Sequence, residues 1–141
     1  MKSSLLSCGV LLSSALLLSL PVHSQSLYER LGGEAGMLAI TNAFIEEISF
    51  DAMVYPYFRT SDIGRFQAKF SEQLCVAVNG PCEYTGDSML LVHRGMGIDE
   101  AAFNRTVELL QAAMTREGVH HTDQNRILKQ FAPMRADIIH Q

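Results

Sequence analysis

Between Leu27 and Ile138, apolar residues recur every three or four positions, in runs that glycine or proline cuts short. This spacing constrains the fold more than any other feature of the chain. Such a period puts one apolar stripe along a helix, and each stripe must be buried against others. No stretch alternates apolar and polar residues as a half-buried strand would. The expected class is all-α, with short helices around one core.

The punctuation places the helices. Ser26 can cap a first helix, Leu27 to Leu31, with Glu29 at the capping-box position, and Gly32-Gly33 ends it. A longer helix is expected from Ala35 to Phe50, with Leu38, Ile40, Phe44, Ile45 and Ile48 at helical spacing. Tyr55-Pro56-Tyr57-Phe58 makes a corner, because proline restricts the residue before it. Asp62 to Val78 reads as a capped helix that Asn79-Gly80-Pro81 stops. Cys82 to Gly86 reads as a loop, and Ser88 to His93 as one or two helical turns. Asp99 caps a helix through Phe103, Val107, Leu110 and Met114 that closes at Gly118. Thr122 opens the last, through Ile127, Phe131, Met134 and Ile138, and Pro133 should kink it.

The first 24 residues are of another kind. Lys2 precedes an uncharged run from Leu5 to Leu20, and Val22 and Ser24 stand at the −3 and −1 positions of a cleavage site before Gln25. This is the pattern of a secretory leader, and the run is short for a membrane span of about 20 residues. The expectation is an exported, periplasmic protein, with residues 25–141 as its single domain and no membrane association after cleavage. Removal takes away Lys2 and no acid, so the formal charge moves from −4 to −5 over the remaining 117 residues. That balance leaves no basic footprint for nucleic acid. Export would permit a disulfide between the two cysteines left, Cys75 and Cys82, which is the expected state; the alternative is two buried thiols. No Cys-x-x-Cys-His motif indicates covalent haem attachment, and zinc would need more ligands close together.

Two segments carry chemistry. In Ser88-Met89-Leu90-Leu91-Val92-His93-Arg94-Gly95, a histidine ends a short apolar turn, with Met89 one turn earlier on the same face. A haem iron needs an imidazole on such an element, although a histidine at a helix end also suits the last carbonyls. On the helix from Asp62, Phe66, Lys69, Phe70, Gln73 and Leu74 share one face. The phenylalanines suit either ordinary core or a wall over a flat apolar ligand. Lys69 is the odd member, since lysine usually carries its charge out to water.

At these residues the chain resembles the group 1 truncated haemoglobins, over nearly all of residues 26 to 139. The likeness rests on Leu27-Tyr28-Glu29-Arg30-Leu31-Gly32-Gly33, on Phe44 and Phe58, and on Tyr84-Thr85-Gly86 with Met89. It continues through Val92-His93-Arg94-Gly95-Met96-Gly97-Ile98, Phe103 and Ala132-Pro133. The resemblance implies a two-over-two helical sandwich holding haem b, with His93 as proximal iron ligand. It places Phe58 against the haem, Phe66 and Phe70 on the distal side, and Met89, Ile98, Phe103, Leu110 and Phe131 around the remainder. Lys69 then has two readings, a distal iron ligand or a partner of a haem propionate. Neutralising a lysine amine of ordinary pKa at pH 7 costs about 4.6 kcal/mol, which favours the second.

The chain also departs from the family pattern. Ile45 stands where many members have tyrosine, and Phe70 where many have a polar residue. A hydrogen bond to bound oxygen contributes roughly 1.5 to 3 kcal/mol, so its absence argues against oxygen storage. Gln73, Lys69 or water remain as donors. The function implied is binding of diatomic gases (dioxygen, nitric oxide, carbon monoxide), with nitric oxide dioxygenation or peroxidase-like turnover as the enzymatic extension and an unidentified redox partner. The alternative is a six-coordinate exported protein for electron transfer or haem handling.

Overall fold

The computed structural model describes residues 24–141, and the expected leader lies outside them apart from Ser24. The described residues form eight α-helices and one 3₁₀ turn: α1 Leu27–Arg30, α2 Gly33–Ser49, α3 Tyr55–Phe58, α4 Ile63–Ala77, α5 Met89–His93, α6 Glu100–Arg116, α7 His121–Phe131, the 3₁₀ turn Ala132–Met134 and α8 Arg135–Ile138. No strand occurs among them. The class is all-α, as the spacing predicts.

Side-chain caps set most of the helix starts. Ser26 and Glu29 form a reciprocal capping box at α1. Asp62, Ser88 and Asp99 accept from the backbone N–H three residues on and start α4, α5 and α6. The glycine pair differs from expectation. Gly32 lies in the left-handed region at φ 89°, and Gly33 opens α2 rather than closing α1. The last helix also differs. It starts at His121, where His120 Nδ1 accepts from the Thr122 N–H, and Pro133 converts the following turn to 3₁₀ geometry.

The core lies where α2 crosses α4 and α6, with α7 closing against α4 and α6, in a two-over-two arrangement. Its buried residues include Met37, Ile40, Phe44 and Ile48 of α2, Leu74 of α4, Leu109 and Met114 of α6, and Ile127 of α7. The inward stripe of α2 includes Met37 instead of Leu38, which is 42% exposed, and Ile45 is only half-buried. At the corner after α2, the Asp51 carboxylate accepts from the Met53 and Val54 N–H groups and pairs with Arg105 of α6 at 2.7 Å. The Arg105 guanidinium holds the Asp51 carboxyl below its ordinary range.

Cys75, at the end of α4, is disulfide-bonded to Cys82 in the next loop, with the Cα atoms 5.9 Å apart. The ring is short, so the entropic contribution is about 2 kcal/mol. A chain beginning at Ser24 should therefore titrate no free thiol when denatured without reductant and two after reduction. Two free thiols in unreduced protein from an oxidising compartment would contradict the bond.

Candidate functional site

Beside the core, the helices enclose a cavity of about 810 Å³, in the upper range of ligand sites. α4 supplies one wall because Phe66 and Phe70 fall one turn apart. Their rings stack at 5.4 Å with 17° between planes. Phe44 of α2 packs against Phe70 at 5.0 Å, Phe58 of α3 meets Phe66 edge-on at 5.0 Å, and Phe131 of α7 extends the wall at 6.1 Å from Phe70. Phe44 is buried, but the other four rings are only half-buried.

A second part of the lining comes from α5. Its last residue, His93, lines the cavity and is partly buried. His93 Nδ1 lies 2.8 Å from the Met89 carbonyl oxygen. A carbonyl only accepts, so Nδ1 carries the proton in the neutral ring and Nε2 keeps a lone pair. Beyond His93 the chain turns on Gly95 and Gly97, at φ 79° and 60°. The Gly97 N–H donates to Gln141 and the His140 N–H to Ile98, tying the C-terminus across this turn.

All ten residues singled out in the sequence line this one cavity: Phe58, Phe66, Lys69, Phe70, Met89, His93, Ile98, Phe103, Leu110 and Phe131. Phe44 joins them, whereas Ile45, at the position where many family members have tyrosine, is not in the lining. The structure adds Met96, Met134 and Arg65. Gln73 also faces the cavity, but its amide donates to the sulfurs of Met89 at 3.4 Å and Met134 at 3.3 Å.

Lys69 lies on the rim, and its ammonium pairs with Glu72 at 2.9 Å and donates to the Thr85 hydroxyl. Glu72 also accepts from the Thr85 N–H and hydroxyl, each at 2.9 Å. Lys69, and then the Thr85 N–H, hold the Glu72 carboxyl at about 2, against an ordinary 4.5. Sequence reasoning missed Glu72. Its spacing to Lys69, the main partner, was visible, but its second partner, Thr85, comes from another segment. Further along the loop, Arg65 pairs with Asp87 at 3.1 Å, and the Tyr84 hydroxyl donates to the Asp87 carbonyl. Burial, reinforced by Asp87, raises the Tyr84 phenol.

A helical fold with an aromatic-walled cavity and one imidazole at its edge defines a globin-like protein. The comparisons agree. The family model for bacterial-like globin matches residues 26–140. A "Group 1 truncated hemoglobin" of Tetrahymena pyriformis is 29% identical over 115 residues, covering 82% of this chain and 95% of that protein. One of Mycolicibacterium paratuberculosis is 30% identical over 113 residues, covering 80% and 83%. The crystal structure of the Tetrahymena pyriformis truncated hemoglobin in its Fe(III) form superposes with a TM-score of 0.78 at 28% identity, over 83% of this chain and all of that one. The chain belongs to the bacterial-like globin family, among the group 1 truncated haemoglobins.

The Glu72 contacts predict a pH dependence. A depressed carboxyl contributes stability that is present above its unfolded pKa, near 4.5, and lost as pH falls through about 2. In that window the unfolded chain binds the proton and the folded chain does not. Urea unfolding of the wild type and Glu72→Gln should therefore give stabilities that differ above pH 5 and converge towards pH 2. A constant difference across the window would refute this role.

Proposed function

We propose that this chain is an exported b-type haem protein that binds diatomic gases, with His93 as the proximal ligand. The observation that carries the reading is His93 itself. Its proton is committed to the Met89 carbonyl, and its free Nε2 belongs to a ring lining an apolar, aromatic-walled cavity. A second group that orients a metal-binding imidazole in this way is a regular feature of histidine ligation. Among the described residues no three His, Cys, Asp or Glu side chains converge as a metal cage would require. A single imidazole suits a metal that arrives with its own planar ligand. The half-buried rings of Phe58, Phe66, Phe70, Phe103 and Phe131 suit the faces of that ligand, and Lys69 and Arg65 on the rim suit its carboxylates. When bound, haem supplies an iron with one position open to a gas.

The chain's own residues then set selectivity. Phe66 and Phe70 exclude water from the wall they form. Ile45 and Phe70 carry no donor, and the Gln73 amide is engaged by two thioethers, so none of these three positions holds a donor ready for a bound gas. This favours nitric oxide and carbon monoxide, whose binding depends less on a donor than that of dioxygen. It also favours nitric oxide or redox chemistry over oxygen storage. The leader pattern and the disulfide support a periplasmic setting. Lys69 is held by Glu72 and Thr85, which favours the charged, propionate-facing reading over iron ligation.

Haem reconstitution followed by visible spectroscopy tests these roles. His93→Ala should lose most of its bound haem and unfold at lower temperature, because the ligand completes a small core. Normal haem content with an unchanged Soret band would refute the proximal assignment. Lys69→Ala should keep the wild-type spin state from neutral to alkaline pH while releasing haem faster. A low-spin band that grows with pH in the wild type and vanishes in Lys69→Ala would show iron ligation by the lysine instead. Phe70→Gln should slow dioxygen release by about 10- to 150-fold, the value of one restored hydrogen bond. An unchanged rate would show that position 70 does not face the bound gas.

A further inference from the structure

The loop 82–88 joins the two sides of the cavity. It leaves the end of α4 and reaches Ser88, which caps the short helix carrying His93. Along the way it is fastened to α4 three times. Cys82 is bonded to Cys75, Thr85 to Glu72, and Asp87 to Arg65. These contacts step back along α4, so the loop runs beside that helix like a strap. The Arg65–Asp87 pair is exposed on both sides, and such pairs hold a chain weakly. The disulfide is the one covalent fastening.

Its two ends are differently placed. Cys75 is 2% exposed and belongs to the core, whereas Cys82 is exposed. Cys82 is thus the end that a reductant approaches from solvent. After cleavage Cys75 stays in the core and Cys82 moves with the loop. The next fastening, Thr85 to Glu72, shares Glu72 with Lys69, a residue of the cavity rim. Loosening the loop therefore bears on both sides of the cavity, on the cap of α5 and on the hold on Lys69. Closing so short a ring constrains the unfolded chain less than a long one would, and in the folded chain the bond acts directly on the loop.

We propose that the Cys75–Cys82 disulfide is a redox-responsive latch on the cavity, opened by a dithiol reductant. One thiolate of the dithiol attacks the Cys82 sulfur, the sulfur–sulfur bond breaks, and Cys75 leaves and takes up a proton. The second thiol of the dithiol then displaces Cys82, which is protonated in turn. The dithiol ends as its own disulfide, and two electrons and two protons have passed to the chain. The strap then loosens from α4 and α5 loses one of its two anchors, so that a ligand held by His93 is retained less firmly. The ligand part of this inference rests on the haem reading; the loop part does not.

Two measurements separate them. Hydrogen–deuterium exchange on the haem-free protein should speed up about 10-fold or more across residues 83–93 after dithiol treatment, with α2 and α6 unchanged. Transfer of haem from the ferric protein to an acceptor apoglobin should accelerate several-fold under the same treatment. Cys82→Ser should show both effects without dithiol and respond no further when it is added, which controls for reduction of the iron. Glu72→Gln should speed exchange of the loop more in the reduced protein than in the oxidised one, because the two fastenings back each other up. Unchanged exchange after both thiols are shown to be free would overturn the latch. So would exchange rising equally in every helix, which would make the bond a global staple. A protein that never acquires a Soret band would refute the haem reading and leave the exchange result standing.

Discussion

Four long helices meet along shared seams, yet the apolar stripe of α4 runs on past what those seams cover. Leu74 and Cys75 reach the core, while Phe66 and Phe70 are left half-buried beside a cavity that Phe58, Phe103 and Phe131 also border. Burying a phenylalanine fully contributes about 1.5–3 kcal/mol relative to leaving it exposed. Each of these rings realises only part of that. No further element among the described residues buries them fully. The aromatic wall is thus a constraint that a bound apolar group would relieve, and the rest of the structure is arranged around holding that space open and bounded.

The part of the boundary that carries His93 is the less secure one. α5 has five residues, too few to persist as an isolated helix. Its place comes from its two ends. Ser88 caps the first turn and is the terminus of the strap fastened to α4. After His93, the turn through Gly95 and Gly97 is bonded to the C-terminal residues, and α8 packs against α5. The position of one imidazole therefore depends on residues from 65 to 141. Gly95 and Gly97, in left-handed conformations, let the backbone reverse immediately after the histidine.

How far the sequence reveals this depends on whether the cause is local. The long helices are legible because caps and stripes are local features: Asp62, Ser88 and Asp99 each stand one residue before the helix they start. The start of α7 was displaced because a histidine ring supplies its cap, an uncommon choice that residue type does not signal. Met37 in place of Leu38 on the inner face of α2 is a shift that follows from which helices pack against it. The cavity residues were legible in a different way. Periodicity alone leaves His93 as a plausible helix-end residue, and only the combined motifs of the family singled it out. Glu72 was only half legible: Lys69, the main cause of its low carboxyl, stands three residues before it, whereas the threonine that completes the set lies thirteen residues on and is brought near only by the fold.

The polar groups bordering the cavity are held with unequal strength, and that bears on what the site can offer a ligand. Lys69 is engaged by a carboxylate and a hydroxyl, and charge-assisted hydrogen bonds of this kind are roughly twice as strong as neutral ones. Turning its amine inward would break them and would also leave Glu72 with fewer donors. Gln73 is held only by two thioether sulfurs, which are weak acceptors. Its amide can be redirected at much smaller cost. On the proposed reading, the group most readily recruited towards a polar ligand is therefore the neutral amide of Gln73, while Lys69 keeps its charge at the rim. The site then has an apolar resting wall with an adaptable donor beside Met89, the residue whose carbonyl orients His93. A ligand that draws Gln73 away from Met89 would act directly on the segment that presents the imidazole.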